Sequence, residues 1–215
     1  MKLNFFTITI LMMLLVWIVQ AARIALSQKN LTRKAILNFV ASGCLVIGAT
    51  GFFGSALSAT GGLNWLPESF EWPIGSASGV VIKDDGTVVV PHNSSGRIQI
   101  YSEDLTFQRG WVVEAHGGSF ILAPADGDKF YVFTARGDHK YLYDTHGTLL
   151  SSETYQESVY PVTQGTKKVS IPTPFYLMVF VHPFASWFVA AMGIGLLFLT
   201  GEARRGKNRK RPNTH

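Results

Sequence analysis

The sequence predicts a membrane α-helical protein with three transmembrane helices and one small all-β extracytoplasmic domain built from two four-stranded units. Three observations lead to this fold class. Three apolar runs are each long enough to cross a bilayer, basic residues gather beside those runs, and the segment between the second and third runs repeats itself. Charged residues make up 15% of the 215-residue chain, below the roughly 25% of soluble proteins.

The three apolar runs predict transmembrane helices at 5–26, 35–59 and 175–200. A rise of about 1.5 Å per residue lets each of them cover about 30 Å of hydrocarbon. The second and third runs contain no Lys, Arg, Asp or Glu. A cleaved signal peptide over residues 1–21 is the alternative for the first run. The single cysteine, Cys44, lies in the second run, so no intrachain disulfide is possible.

The charged residues predict the orientation of the chain. Residues 60–174 carry eight Lys and Arg against thirteen Asp and Glu, whereas the rest carries eleven basic residues against Glu202 alone. Short basic flanks stay in the cytoplasm, which predicts a cytoplasmic loop at 27–34, a cytoplasmic tail at 201–215 and an outer N-terminus at 1–4. We expect contacts with the anionic inner leaflet from Arg23, Lys29, Arg33, Lys34, Arg204, Arg205, Lys207, Arg209, Lys210 and Arg211.

Small residues in the second run indicate close helix packing. Gly51, Ser55 and Ala59 lie four residues apart, and such spacing lets two helix backbones approach closely. Their partner is either the third run, through Ala191 and Gly195, or another subunit. The alternative is that membrane helices are simply rich in small residues.

The pair His182-Pro183 stands inside the third run. An ionisable group at membrane depth is a functional hypothesis, and a proline in a helix interior removes a hydrogen bond and kinks the helix. Three interpretations stay open: a kinked helix anchored at the interface, a contact with another subunit, and a metal or proton site.

The predicted β domain, residues 78–172, contains an internal repeat. One unit begins at Ser78 and a second at Ser119, and both run through an Asp-Gly turn and short β-branched or aromatic strands. Equating Tyr101 with Tyr143 gives a period of 41 to 42 residues. Short strands separated by such turns predict hairpins.

The string from Gly79 to Tyr101 resembles an NHL-type β-propeller repeat, and residues 118–143 are similar to a looser second copy. The resemblance implies propeller-blade-like units and, by analogy only, a role in protein or ligand binding. A closed propeller needs about four to eight blades. Two units therefore form a sandwich of two small sheets or complete themselves against a partner.

Aromatic residues crowd the connector at 60–77, which leads from the second run to the β domain. Trp65 and Trp72 there, with Tyr176 at the start of the third run, are predicted interfacial anchors, because aromatic side chains prefer the membrane interface. The connector then seats the β domain on the bilayer; the alternative is a lip that grips a ligand.

No catalytic, cofactor-binding or metal site is predicted. The histidines of the β domain lack the spacing of a known metal motif and are typical turn residues. The sequence favours a non-enzymatic accessory or scaffold subunit of a membrane complex. It binds other membrane subunits or a second copy and no nucleic acid, in a bacterial inner (plasma) membrane with the β domain on the periplasmic or extracellular side. Alternatives are a small transport or redox-associated subunit using His182, and a ligand-binding receptor.

Overall fold

The computed structural model describes residues 19, 33–155 and 167–200. The chain divides into two compact units. The helical unit comprises Met1–Phe52 and Phe184–His215, and the β unit comprises Phe53–Pro183.

The prediction of three transmembrane helices is wrong. Within the described residues, only helix α1, Arg33–Ala59, is long and apolar enough to cross a membrane, judged by length and composition. The predicted third span contains a 3₁₀ helix, Phe175–Phe180, followed by a separate 17-residue helix α2, Pro183–Leu199. The predicted first span, 5–26, lies outside the described residues apart from Val19.

Pro183 explains why the third apolar run is divided. A proline has no backbone N–H and is tolerated best at the first position of a helix, where that donor would be unpaired anyway. Pro183 occupies this position in α2, and His182 lies in the bend before it. The prediction of a proline-kinked continuous helix is therefore wrong, because the helix starts at the proline.

In the helical unit, α1 and α2 approach each other at two glycines. A Cβ atom added at Gly48 would collide with backbone atoms of Ser186 and Ala190, and one added at Gly193 would lie 2.6 Å from the Ala41 carbonyl oxygen. Higher numbers on α1 face lower numbers on α2, so the two helices run antiparallel. Backbone approach of this kind is what small residues permit.

The β unit contains two antiparallel sheets. The first has five strands in the order β4-β3-β2-β1-β9, and the second has four in the order β5-β6-β7-β8. The first sheet therefore exceeds the predicted four strands, because β9 pairs with β1. The strands are β1 Ser76–Ile82, β2 Val88–His92, β3 Arg97–Tyr101, β4 Phe107–Val112, β5 Phe120–Pro124, β6 Lys129–Thr134, β7 His139–Asp144, β8 Leu149–Thr154 and β9 Lys167–Ser170.

The two sheets share one hydrophobic core and form a sandwich. Residues of β1, β2, β3, β5, β6 and β7 form most of this core, and those within one strand are two positions apart, as the two-residue period of a strand requires. Within the described residues the sheets show no propeller closure. The core consists of Val81, Val89, Ile98, Ile100, Val113, Ala115, Phe120, Leu122, Phe130, Val132, Tyr141 and Tyr143, with Trp111 packed against them.

The two central hairpins differ in loop length. His92 pairs with Arg97 across a loop of four residues, whereas Phe133 pairs with Lys140 across a loop of six. The offset between the two units thus grows from 41 residues before the loop to 43 after it. Equating Tyr101 with Tyr143 is therefore wrong: Tyr143 lies in the shared core and Tyr101 on the opposite face of its sheet.

Candidate functional site

The outer face of the first sheet, which points away from the shared core, carries a row of buried polar side chains. Arg97, Gln99 and Tyr101 alternate along β3, so all three project from this face, and His92 joins them at the end of β2. Each is less than a tenth exposed. Two segments cover the face: residues 68–75, called the strap, and residues 171–181, called the terminal segment.

Gln99 binds the strap as a neighbouring strand would. Its Oε1 accepts a hydrogen bond from the Trp72 backbone N–H at 2.5 Å, and its Nε2 donates to the Trp72 carbonyl oxygen at 3.0 Å. The strap forms no strand of its own, so these backbone groups would otherwise be buried without partners. A further bond runs from the Gly110 N–H to the Glu68 carbonyl oxygen at 2.8 Å.

Arg97 fastens the strap with charge-assisted hydrogen bonds. Its Nη2 donates to the carbonyl oxygens of Gly110 at 2.9 Å and Phe70 at 3.4 Å, and its guanidinium lies 5.8 Å from the centre of the Phe70 ring. Its Nε has no hydrogen-bond partner among the residues that the structure describes. Burial lowers the pKa of Arg97 to about 10, so the side chain remains charged near neutral pH.

Tyr101 links Gln99 to a carboxylate of the strap. Its hydroxyl donates to Glu71 Oε1 at 3.1 Å and accepts a bond from Gln99 Nε2 at 2.8 Å. Burial, followed by the charge of Glu71, raises the pKa of Tyr101 far above its ordinary value. Tyr101 therefore stays protonated and acts as a hydrogen-bond donor rather than as a base.

His92 and Trp72 fasten the terminal segment. His92 Nε2 lies 3.0 Å from the Val181 carbonyl oxygen, and its Nδ1 lies 2.7 Å from the Ser95 hydroxyl. A carbonyl only accepts, so we assign the proton to Nε2 and the acceptor role to Nδ1. The indole N–H of Trp72 donates to the Phe180 carbonyl oxygen at 3.2 Å.

His92 is neutral at physiological pH. Burial is the main cause that lowers its pKa to about 4, and the nearby charges of His182 and Arg97 act in the same direction. The hydrogen bond to Val181 opposes the shift. Neutral His92 and protonated Tyr101 both serve as fixed hydrogen-bonding groups. The side chains of this face therefore hold the strap and the terminal segment in place.

The three predicted interfacial anchors have different surroundings. Tyr176 is 73% exposed and Trp65 is half-buried, whereas Trp72 is buried in the β unit. The indole of Trp72 packs near His92 and donates a hydrogen bond to the terminal segment. His182, the predicted intramembrane polar group, is exposed and lies in the bend between the 3₁₀ helix and α2.

Two of the predicted packing residues on α1, Gly51 and Ser55, are buried. Gly195 has no atom near the position that a Cβ would occupy, whereas the unpredicted Gly48 and Gly193 lie at the contact between α1 and α2. Of the predicted inner-leaflet contacts, Arg33 and Lys34 are exposed at the start of α1. The other eight lie outside the described residues: Arg23, Lys29, Arg204, Arg205, Lys207, Arg209, Lys210 and Arg211.

The hairpin turns use their aspartates to cap backbone. Asp85 accepts from the Thr87 N–H at 2.9 Å, and Asp144 accepts from the N–H groups of His146 and Thr148 at 2.9 and 2.8 Å. These are turn roles that aspartate commonly fills. Across 33–155 and 167–200, no group of three or more His, Cys, Asp and Glu side chains is placed to hold a metal ion.

The sequence contains a weak signal for the buried polar row that its interpretation missed. Arg-Ile-Gln-Ile-Tyr alternates polar and apolar residues over 97–101, a pattern typical of a strand with one solvated face. The covering strap makes that face buried instead. Comparison of the chain with protein-family models, with curated proteins and with solved structures gave no match.

Proposed function

We propose that this protein is a non-enzymatic accessory subunit that is tethered to a membrane through α1 and presents its β unit outside the cytoplasm to other subunits. The observation that carries the proposal is the apolar surface of the helical unit. Phe39, Ile47, Phe188 and Phe198 are 46–65% exposed there. Apolar surface on this scale needs a cover of lipid or of partner helices.

The charge distribution around α1 supports the proposed orientation. Arg33 and Lys34 begin the helix, and its remaining residues to Ala59 carry no charge. Basic residues beside a membrane helix favour the cytoplasmic side and the anionic lipids of its leaflet. The chain that follows Ala59 then enters the β unit on the opposite side, which for a bacterial inner membrane is the periplasmic or extracellular side.

The β unit supports a binding role rather than catalysis. The ionisable groups of the buried polar row, His92, Arg97 and Tyr101, are each engaged with backbone or with one another. Side chains committed in this way stiffen a module and hold its shape. A stiff sandwich with an exposed edge strand, β8, suits docking to another protein, in keeping with the binding role that the resemblance to NHL-type repeats implies by analogy.

The alternative transport or redox role has less support than the accessory role. That role depended on His182 lying inside an apolar helix, and His182 is instead exposed in the bend before α2. We therefore favour the accessory role over a path that uses His182.

The test is extraction followed by purification in a mild detergent. We expect the protein to stay with the membrane pellet at alkaline pH and to co-purify with a stoichiometric companion, or with a second copy, after detergent solubilisation. A matched pair of variants, Phe39→Ser on the exposed surface of α1 and Leu150→Ser on the exposed β8 strand, separates the two properties. The first should weaken membrane retention and the second should not.

Release of the wild-type chain into the alkaline supernatant would contradict the membrane tether. A monomer without companions, in a detergent that preserves other complexes of the same membrane, would contradict the accessory role.

A further inference from the structure

We propose that His116 and His139 form a binding site for a divalent transition metal ion such as Zn²⁺ at one end of the β unit. His116 stands in the loop between β4 and β5, and His139 begins β7. Their ring centroids are 6.4 Å apart, with the ring planes at 53°. Neither residue belongs to the buried polar row that fastens the strap.

Gly137 leaves open the space between the two rings. A Cβ added to this glycine would lie 3.0 Å from His139 Cδ2, 3.3 Å from His139 Nε2 and 3.7 Å from His116 Cδ2. In each ring, Cδ2 is the direct neighbour of Nε2. His139 Nε2 therefore faces a spot that His116 Cδ2 also borders and that a side chain at position 137 would fill, and rotation of the exposed His116 side chain brings its Nε2 to the same spot.

The loop that carries Gly137 and His139 is held by hydrogen bonds. Thr134 Oγ1 donates to the Arg136 carbonyl oxygen at 3.0 Å and accepts from the His139 N–H at 3.2 Å. The Tyr155 N–H donates to the Asp138 carbonyl oxygen at 2.8 Å. Because the loop conformation is fixed, His139 is held in place before an ion arrives.

Two further contacts position the His139 ring and the His116 backbone. Tyr141 stacks on His139, with ring centroids 5.6 Å apart and planes at 26°. Arg136 Nη1 donates to the His116 carbonyl oxygen at 3.2 Å and so joins the two loops. His116 and Asp138 both have φ near +49°, a conformation that costs non-glycine residues energy and that persists where the surroundings enforce it.

The β2–β3 hairpin, which corresponds to the hairpin that carries His139, has no histidine in its loop 93–96. The pair Phe133 and Lys140 encloses six residues in the β6–β7 hairpin, whereas the pair His92 and Arg97 encloses four in the β2–β3 hairpin. The shorter loop holds Ser95 and Gly96, and Gly96 packs against the Ala59 backbone. The longer loop instead carries its glycine next to two histidines.

The ligand chemistry selects the ion. Neutral imidazole suits Zn²⁺, Cu²⁺ and Ni²⁺, whereas Mg²⁺ and Ca²⁺ prefer oxygen ligands. Zinc–nitrogen bonds of about 2.0–2.1 Å at a tetrahedral centre put two imidazole centroids roughly 5 Å apart. Rotation of the exposed His116 side chain supplies the closing movement of about 1 Å, and water completes the coordination. The Arg136 charge opposes a second cation, so we expect modest affinity.

The test is Zn²⁺ titration of the full chain in mild detergent, purified without a histidine tag and followed by calorimetry and equilibrium dialysis. We expect His116→Ala and His139→Ala each to weaken binding more than about tenfold, since even loss of an outer-shell partner costs about 10–100-fold. His146→Ala is the matched control. His146 is exposed on the turn after β7 and uses only backbone atoms in its bonds, so its loss should leave binding unchanged.

Cu²⁺ electron paramagnetic resonance gives a second readout, which should show nitrogen couplings from two imidazoles that disappear in the double variant His116→Ala/His139→Ala. Circular dichroism checks that each variant is folded. The proposal is overturned if the wild type takes up no more Zn²⁺ than the double variant, if His146→Ala loses as much, or if Mg²⁺ competes equally.

Discussion

The two sheets of the β unit share a sequence pattern but differ in what covers their outer faces. In the first sheet every residue of β2 and β3 is buried, because the strap and the terminal segment lie over it. In the second sheet β8 is largely exposed and β7 is half-buried on its outer side. Whether the outer face of a repeated strand is buried or exposed therefore depends on segments outside the repeat.

Corresponding positions show the chemical consequence. The loop lengths equate Gln99 with Leu142 and Arg97 with Lys140. The first sheet has the hydrogen-bonding residues and the second has Leu142 and the partly exposed Lys140. A covering segment without strand partners brings unpaired backbone groups to a buried face. Side chains of the sheet must then take the place of those strand partners.

Gln99→Leu, which introduces the residue of the second sheet, should have the largest effect. It leaves the Trp72 N–H and carbonyl oxygen buried without partners, at about 1–3 kcal/mol for each group. We expect the free energy of unfolding to fall by about 3 kcal/mol in urea denaturation of the full chain in detergent. The reverse exchange, Leu142→Gln on the half-buried face, should cost less than about 1 kcal/mol. Equal losses would show that the strap does not depend on Gln99.

His92→Phe should remove a pH dependence of stability, because Phe133 occupies the matching position in the second sheet. The pKa of His92 is about 4 in the folded chain, against an ordinary value of 6.5 that we assign to the unfolded chain. Between these two pH values, His92 is therefore protonated in the unfolded chain and neutral in the folded chain. The contribution of His92 to the free energy of unfolding is complete above pH 6.5, falls as the pH drops from 6.5 towards 4, and is constant below pH 4.

The predicted loss across that window is about 3 kcal/mol, from about 1.36 kcal/mol per pKa unit. Unfolding midpoints measured from pH 7.5 to 4 in the wild type and in His92→Phe should diverge, with the wild type steeper. His146→Ala serves as the control, since its side chain makes none of these buried contacts, and should follow the wild type. A wild-type slope retained in His92→Phe would assign the pH dependence to other groups.

Two turn glycines allow a comparison in which backbone strain cancels. Gly96 in the first sheet has φ +65° and Gly127 in the second has φ +62°, so alanine at either position costs about 1–2 kcal/mol for the left-handed conformation. Only Gly96 packs against another backbone, with an added Cβ 2.8 Å from the Ala59 Cα. We expect Gly96→Ala to cost about 1 kcal/mol more than Gly127→Ala in the same unfolding assay. Equal costs would mean that the Ala59 contact yields without penalty.

The strands of the sheets were easier to predict from the sequence than the helices. Alternating Val, Ile and aromatic residues with Asp-Gly turns locate β1 to β8 closely, since strand period and turn chemistry are local properties. Hydropathy failed over 175–200 because it averages across Pro183 and so misses the separate start of α2. The four-residue β9, Lys-Lys-Val-Ser, has no local signal and is a strand because it pairs with β1.

The functional residues were harder to predict, because their roles depend on contacts between segments that are distant in the sequence. Gln99 is typical of a solvated strand face until the strap, which has no periodic pattern, covers it. His116 and His139 are separated by a complete hairpin, and the loop lengths of the folded chain bring them together. Gly48 and Gly193 are ordinary glycines in apolar runs, and only the antiparallel contact distinguishes them.

Exchanging Arg97 with Lys140 should have the smallest effect and tests the comparison most finely, because charge is kept. In the first sheet, lysine cannot reproduce a planar group that bonds to two carbonyl oxygens and stacks on Phe70, so Arg97→Lys should cost about 1–2 kcal/mol. In the second sheet, Lys140 lies 4.4 Å from the Tyr131 ring centre and 3.7 Å from Glu153 at a partly exposed site. Arginine keeps both contacts, so Lys140→Arg should stay within about 0.5 kcal/mol. If the two exchanges lower the free energy of unfolding equally, burial under the strap does not explain the difference between the outer faces of the two sheets.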